Sequence, residues 1–499
     1  MDPAWRALNL ITFRPYHTKA DIWRDDIAHV DGLQQDVLED VERTLGALKA
    51  GLPAGNIVVQ GRPGIGKSHL LGQIRRQTMH KGDFFALVEL AGIGQFWESV
   101  VAAYLDALFR PTPNGTTQLK HILSALLRQL RLGPDDAAAV LSGNLSDQRL
   151  RLVRTALARS LGPSPANRPT IDIAVSLCLL NSAEFEENEI AQALMQGQGI
   201  DLDQAKTYGL AATTLEARAV VAAFDNVLKF TGLVGIAAID QLDGLIALNR
   251  AITEHGQQSA LDQVANDLMS FAQDAQRTLV VVSLLPMTWD LIQSKAVNSA
   301  ADRFPIDRDL GLIPSQAVGE ALIAAHLRPA FSHAKFDPPY PTWPIRSEAF
   351  EEAQFYTPRE LIKLTNEHIR RCRDKKEIIE LTTYQPATEN STPHTSPPIA
   401  EPIPAPAVEI PVQGAEIGNA TDKLAQLDVD YDALRLTAEI GSVLESESVD
   451  LRLPPLLRAG LQAWVDGSTD GASYELDAPP GHNPALHAKI RQIVNADKE

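Results

Sequence analysis

The sequence predicts an α/β protein built on a mainly parallel sheet with covered faces. Three observations carry this. Short β-branched runs such as "GNIVVQG", "DFFALVEL" and "RTLVVVSLL" are separated by longer stretches with helical patterning, and strands that alternate with helices form parallel sheets. The first run leads into a glycine-rich turn and then a helix. A stretch rich in Pro, Ser, Thr and Ala, residues 384–414, divides this body from a C-terminal segment.

Composition bounds the reading. The chain has 499 residues, 44% hydrophobic and 22% charged, which suits a soluble globular protein of about two to four domains. No N-terminal stretch joins a basic region to an apolar run, so no signal peptide is expected. No apolar run approaches the ~20 residues of a membrane span. The two cysteines, Cys178 and Cys372, make neither a disulfide framework nor a zinc site, and a reducing cytoplasm is the simplest compartment. The net charge of −18 is uneven: residues 1–380 hold 38 Lys+Arg against 45 Asp+Glu, residues 381–499 hold 7 against 18. Acidity therefore concentrates in the tail, and the whole molecule is no nonspecific polyanion binder.

In chain order, "GNIVVQG" (55–61) reads as a buried strand and "KSHLLGQIRRQTMH" (67–80) as the helix after it. Between them "GRPGIGKS", Gly61–Ser68, matches G-x-x-x-x-G-K-[ST]. The chemistry needs those residue types in that order. Glycines let the backbone wrap a phosphate and aim N–H groups inward. Lys67 brings a cation to the β- and γ-phosphates, the Ser68 hydroxyl can ligate Mg²⁺, and the new helix points its positive end at the phosphates. Such a match arises by chance in roughly one chain in a hundred of this length, and here it sits between a strand and a helix, the context the motif requires. The expected nucleotide contacts are Gly61, Arg62, Pro63, Gly64, Ile65, Gly66, Lys67, Ser68 and His69, for ATP with Mg²⁺.

"DFFALVEL" (83–90) is the second strand. Residues 95–230 then show helical patterns, among them "LKHILSALLRQLRL", "LRLVRTALARSLG" and "LEARAVVAAFDNVLKF". That is far longer than a usual crossover, and it reads as an α-helical insertion. The third strand, "LVGIAAID" (233–240), ends in Asp240, placed to organise the metal of a phosphate-loop site; the competing reading is an Asp that caps the next helix. Gln241 follows it. A glutamate there could take a proton from attacking water, whereas a glutamine can only orient it. Asp243 is an alternative acid, or a carboxylate favoured by a helix N-terminus.

The fourth strand, "RTLVVVSLL" (277–285), carries Ser283 near its end, where a hydroxyl meets either the γ-phosphate or local backbone. Arg303, in "NSAADRFP", is a candidate for reaching a neighbouring subunit's γ-phosphate, or a surface arginine. "DLGLIP" (309–314) reads as a short fifth strand. Arg359 lies in the first turn of a helix opened by Thr357 or Pro358, where phosphate sensing competes with a surface ion pair. At that helix's end Arg370, Arg371, Arg373, Lys375 and Lys376 form a basic cluster, either a contact for nucleic-acid phosphates or cations that offset the helix dipole.

The segment 384–414 reads as an extended, disordered linker. Beyond it "YDALRLTAEIGSVLESE" and "LPPLLRAGLQAWV" have helical patterning. His482 and His487 lack metal-ligand partners, and Glu475 with Asp477 in "YELD" has no following E-x-K, so no second hydrolase is expected.

Taken in order, Gly61–Ser68, Asp240, Ser283, Arg303 and Pro358–Arg359 resemble the Walker A, Walker B, sensor-1, arginine-finger and sensor-2 elements of the AAA+ superfamily. "PSQAVGEALIAAHLRPAF" resembles the first helix of its lid. "DNVLKFTGLVGIAAIDQLDGL" is similar to ATPases of the origin-recognition and signal-transduction branches and to ATP-binding components of bacterial phage-defence systems. The resemblance spans residues 25–380 without the insertion. It implies a P-loop AAA+ core in two parts (1–94 and 231–313), an insertion (95–230), a helical lid (314–383), a linker (384–419) and a small C-terminal module (420–499). It further implies a cytoplasmic, Mg²⁺-dependent ATPase that forms homo-oligomers, completes its site between subunits, and acts on a partner, with DNA a candidate and no membrane. Lys67, Asp240, Gln241, Asp243, Ser283, Arg303 and Arg359 would be its catalytic set, and Ser68 and Asp240 its metal ligands. Gln241 departs from the family's usual glutamate, which keeps open a second reading: a nucleotide-gated switch or scaffold with slow or no hydrolysis.

Overall fold

Five parallel strands organise the first unit of the chain: β1 (Ile57–Gln60), β2 (Phe84–Glu89), β3 (Gly235–Asp240), β4 (Thr278–Leu284) and β5 (Ile306–Asp309), in spatial order β2-β3-β4-β1-β5. The computed structural model describes residues 2–13, 19–25, 29–90, 95–162, 164–243, 260–295, 300–384, 473–477 and 489–493. The chain divides into two units, Met1–Thr388 and Glu389–Glu499.

β1 to β4 fall where their apolar runs predict. The fifth strand does not: it is Ile306–Asp309, and the "DLGLIP" expectation overlaps it at Asp309 alone. The reason is its alternating exposure at a sheet edge, which β2 at the other edge does not share. β5 pairs only with β1 and has alternating exposure. Its polar residues are held from outside, Asp307 by Gln60 (2.6 Å) and Arg308 by Asp40 (2.7 Å). The apolar residues after it, Leu310 and Ile313, are buried by packing, not by pairing.

Helices cover both sheet faces. In order they are α1 (Pro3–Leu10), α2 (Lys19–Ile22), α3 (Gln35–Lys49), α4 (Lys67–His80), α5 (Phe96–Leu108), α6 (Gln118–Leu130), α7 (Pro134–Leu141), α8 (Asp147–Leu161), α9 (Arg168–Leu180), α10 (Phe185–Met195), α11 (Leu202–Tyr208) and α12 (Ala217–Thr231). Then follow α13 (Ala260–Asp274), α14 (Pro286–Lys295), α15 (Ala300–Arg303), α16 (Gln316–Ala334) and α17 (Pro358–Lys375). One face packs Ile57, Val59, Phe85, Leu87, Ile236 and Val281 against apolar residues of α3 and α4. The other packs Val58, Phe84, Val88, Ala237 and Val282 into a core continuous with the helical region. Residues 95–230 are helical as expected, and the first and last of these helices, α5 and α12, share that core with the strands. Phe84 meets both, its ring 5.4 Å from Tyr104 and 5.0 Å from Phe224.

A third core joins α16 and α17, and it takes in Leu8 and Ile11 from the N-terminus. The N-terminal helix therefore packs with the lid-like helices. Arg373 fastens it, donating to the carbonyls of Leu8 and Ile11 that end α1. α17 opens as the sequence requires: Thr357 accepts from the Glu360 N–H, Glu360 accepts from the Thr357 N–H, and Pro358 fills the first turn.

In the second unit β6 (Ser473–Asp477) pairs antiparallel with β7 (Lys489–Ile493). The linker from 385 onward, both C-terminal helical patterns, His482 and His487 lie outside the described residues. Among the described residues, no helix is long and apolar enough to cross a membrane.

Candidate phosphate-binding site

The glycine-rich turn is held in shape from three sides. Ile65, 2% exposed, plugs it into the core. Gly64 has φ +81°, and a Cβ there would stand 2.9 Å from Cβ and Cδ of Arg359. Gly66 has φ +104°, and a Cβ there would stand 2.8 Å from Nε2 of Gln34. Only glycine meets both demands, a left-handed backbone and a close neighbour. Lys67 Nζ donates to the Gly61 carbonyl at 2.8 Å, so the ammonium lies across the mouth of the turn. α4 starts at Lys67, and the positive end of its dipole faces the same space.

The ends of β3 and β4 complete the site. The Ser68 hydroxyl donates to Asp240 Oδ2 at 3.2 Å. Register places Ser283 beside Val59 of β1, with β3 on the other side of β4, so the Ser283 end lies between the turn and Asp240. Burial pushes the Asp240 carboxyl up. The Ser283 hydroxyl, the Gln241 N–H, Ser68 and the Lys67 ammonium pull against that. Ser283 Oγ is itself buried and, although close enough to bias that carboxyl, makes no hydrogen bond of normal geometry. A buried hydroxyl short of a partner beside a buried carboxylate is what a site for a cation and a phosphate oxygen offers. Among the described residues no three His, Cys, Asp or Glu cluster as a metal cage. The Ser68–Asp240 pair fits Mg²⁺, which takes its remaining ligands from water and phosphate.

The other expected residues divide. Arg359 comes to the site: its N–H donates to the Gly64 carbonyl at 3.3 Å and its side chain lies over Gly64. Gln241 is exposed with φ +64°, leaving the extended path of the strand at once. Asp243 is engaged elsewhere. It accepts from the Leu285 N–H (2.9 Å) and the Thr288 hydroxyl (2.5 Å), fixing the turn from β4 into α14. Arg303 is at the opposite end of the sheet. Its carbonyl accepts from Asn56, just before β1, and its guanidinium donates to Gln273, so it does not reach its own chain's turn. Arg62 and Pro63 are exposed on the turn. His69 stacks on His29, ring centroids 5.8 Å apart, and burial lowers the His29 pKa.

Sequence reasoning missed Gln34. Its side-chain amide donates to the Ile65 carbonyl at 3.0 Å, and its own φ is +59°. Nearby Val30 belongs to the core of α16 and α17, and a Cβ on Gly32 would lie 3.3 Å from Val318 of α16. Residues 29–34 thus run between the turn and α16. A polar residue before a helix carries no signal of this, because the conformation that aims it is set by tertiary packing. In the basic cluster, Arg373 is committed to α1 and Arg371 pairs with Glu367 at 2.5 Å.

No protein-family model matches the chain, and a search of curated proteins finds no match.

Proposed function

We propose that the chain is a Mg²⁺-dependent ATP-binding and ATP-hydrolysing protein of the AAA+ type that assembles on nucleotide and acts on a partner. One observation carries this reading: Ser68 at the start of α4 touches Asp240 at the end of β3, while Arg359 of α17 lies over Gly64. Loop, sheet and lid-side helix thus supply a hydroxyl, a carboxylate and two cations to one place, the set that phosphoryl transfer uses. Bound Mg²⁺ would neutralise charge on the phosphates, held by Ser68 and Asp240; Lys67 and Arg359 bind and orient the phosphates from the protein side. Arg303, remote from its own loop, suits a role toward a neighbouring copy. The helical region and the C-terminal module are the candidate partner surfaces, and DNA in a bacterial defence or genome-maintenance complex is the candidate target. The test is nucleotide binding and phosphate release by wild type against Lys67→Ala. Binding weakened at least about tenfold in the variant is the expected result; equal binding would refute the site.

A second reading, a nucleotide-gated switch with little turnover, is favoured by Gln241, which cannot accept a proton, and by Asp243, which is engaged elsewhere. Both readings expect the mass in solution to rise with ATP. Phosphate release above the Lys67→Ala background separates them.

A further inference from the structure

We propose that Glu89, at the end of β2, is the general base of this site; the inference rests on the phosphate-site reading above. Register makes Glu89 the direct partner of Asp240 on the adjacent strand, and adjacent strands lie about 4.8 Å apart. Side chains alternate along a strand. On β2, Phe85 and Leu87 face the core shared with α4, so Glu89 follows on that face. On β3, Ile236 and Ala238 face the same core, so Asp240 does too; on β4, Leu279 and Val281 do the same for Ser283. Glu89, Asp240 and Ser283 therefore stand side by side at the C-terminal rim of three neighbouring strands, on the face of the helix that delivers Ser68.

Exposure separates the two carboxylates. Asp240 is 5% exposed, whereas Glu89 is the one residue of β2 that is not buried. A partly exposed carboxylate one strand from the metal ligand can meet water that the buried one cannot. The other two candidates are weaker. Gln241 has no proton-accepting group at neutral pH, and Asp243 lies beyond the end of β3 with its carboxylate directed at the turn into α14, not along the strand rim. In the step assigned here, a water oxygen bonds to the γ-phosphorus and its proton passes to the Glu89 carboxylate. The bond from that phosphorus to the β,γ-bridging oxygen breaks, and its electron pair leaves with ADP. Protonated Glu89 then returns its proton to solvent.

The test uses the full chain with Mg-ATP and the Glu89→Gln variant, reading phosphate release, nucleotide affinity and the Mg²⁺ concentration for half-maximal turnover. Turnover reduced at least about 100-fold, with affinity and Mg²⁺ dependence within about twofold of wild type, is the expected result. Glu89→Asp, which keeps a shortened carboxylate, is expected to hold an intermediate rate and stands in if the Gln variant does not fold. Wild-type turnover in Glu89→Gln overturns the proposal. So does a loss that high Mg²⁺ restores, which makes Glu89 a metal ligand. Wild type that binds Mg-ATP yet releases no phosphate above the Lys67→Ala background also overturns it, while leaving the phosphate site intact. Wild type that binds no nucleotide removes the site itself, and the proposal with it.

Discussion

Two buried aspartates, Asp225 and Asp240, serve opposite ends of the sheet in opposite ways. Both carboxyls are pushed up by burial. Asp225, on α12, accepts from the N–H groups of Gln276 (2.9 Å) and Arg277 (3.0 Å) and from the Thr278 hydroxyl (2.8 Å), the residues that lead into β4. Two of its three donors are backbone groups fixed by the chain's path, and both oxygens are engaged. Asp240 has the Ser68 hydroxyl at a longer 3.2 Å and the N–H of the adjoining Gln241, and the Ser283 hydroxyl beside it is not bonded in normal geometry. A saturated carboxylate is a staple. One ringed by side-chain hydroxyls and facing a lysine suits a ligand on the reading proposed above, since desolvating it without full compensation costs stability that a purely structural residue has no reason to forgo.

Substitutions can break or sharpen that contrast. The largest effect is expected from Asp240→Asn: turnover falls about 1000-fold, about 4 kcal/mol in barrier, while unfolding free energy moves by less than about 1 kcal/mol because an under-compensated buried charge is removed. Steady-state phosphate release with urea unfolding measures both; a large stability loss would make Asp240 a staple as well. Next comes Asp225→Ala. Stranding two backbone N–H groups and a hydroxyl is expected to cost about 3 kcal/mol of stability and to leave the nucleotide affinity of the folded protein unchanged by titration. A fall in affinity would erase the distinction between the two ends. The smallest is Ser283→Ala, expected to lower turnover about tenfold, about 1.4 kcal/mol, with stability unchanged within about 0.5 kcal/mol because the hydroxyl has no normal partner to lose. A stability loss above about 1 kcal/mol would place Ser283 among structural groups.

Local pattern made the first four strands, the turn and helices such as α4, α6, α8, α12, α16 and α17 legible. Val and Ile runs must be buried on both sides, and a Gly-rich turn between strand and helix has few other uses. Strand order was not legible, because nothing in "DFFALVEL" says which strand lies next to it. Hence Glu89 read as the tail of a strand, and only the pairing with β3 sets it beside Asp240. Gln34, the junction of α1 with α16 and α17, and the edge strand β5 escaped for the same reason: each depends on contacts between distant segments. Asp243 shows the converse. Its spacing after Asp240 suggested chemistry, yet its carboxylate faces the start of α14. The position of Arg303 at the far end of the sheet is likewise a property of the parallel crossover, invisible in the order of motifs.

α17 stands on the glycine-rich turn at Arg359 and grips the end of α1 at Arg373. Its 18 residues make a rod of about 27 Å, fulcrum at the loop and load at the N-terminal helix. A tilt of about 5° at the fulcrum sweeps the far end through roughly 2 Å. Whatever displaces Arg359 is thereby transmitted as leverage to the first helix of the chain.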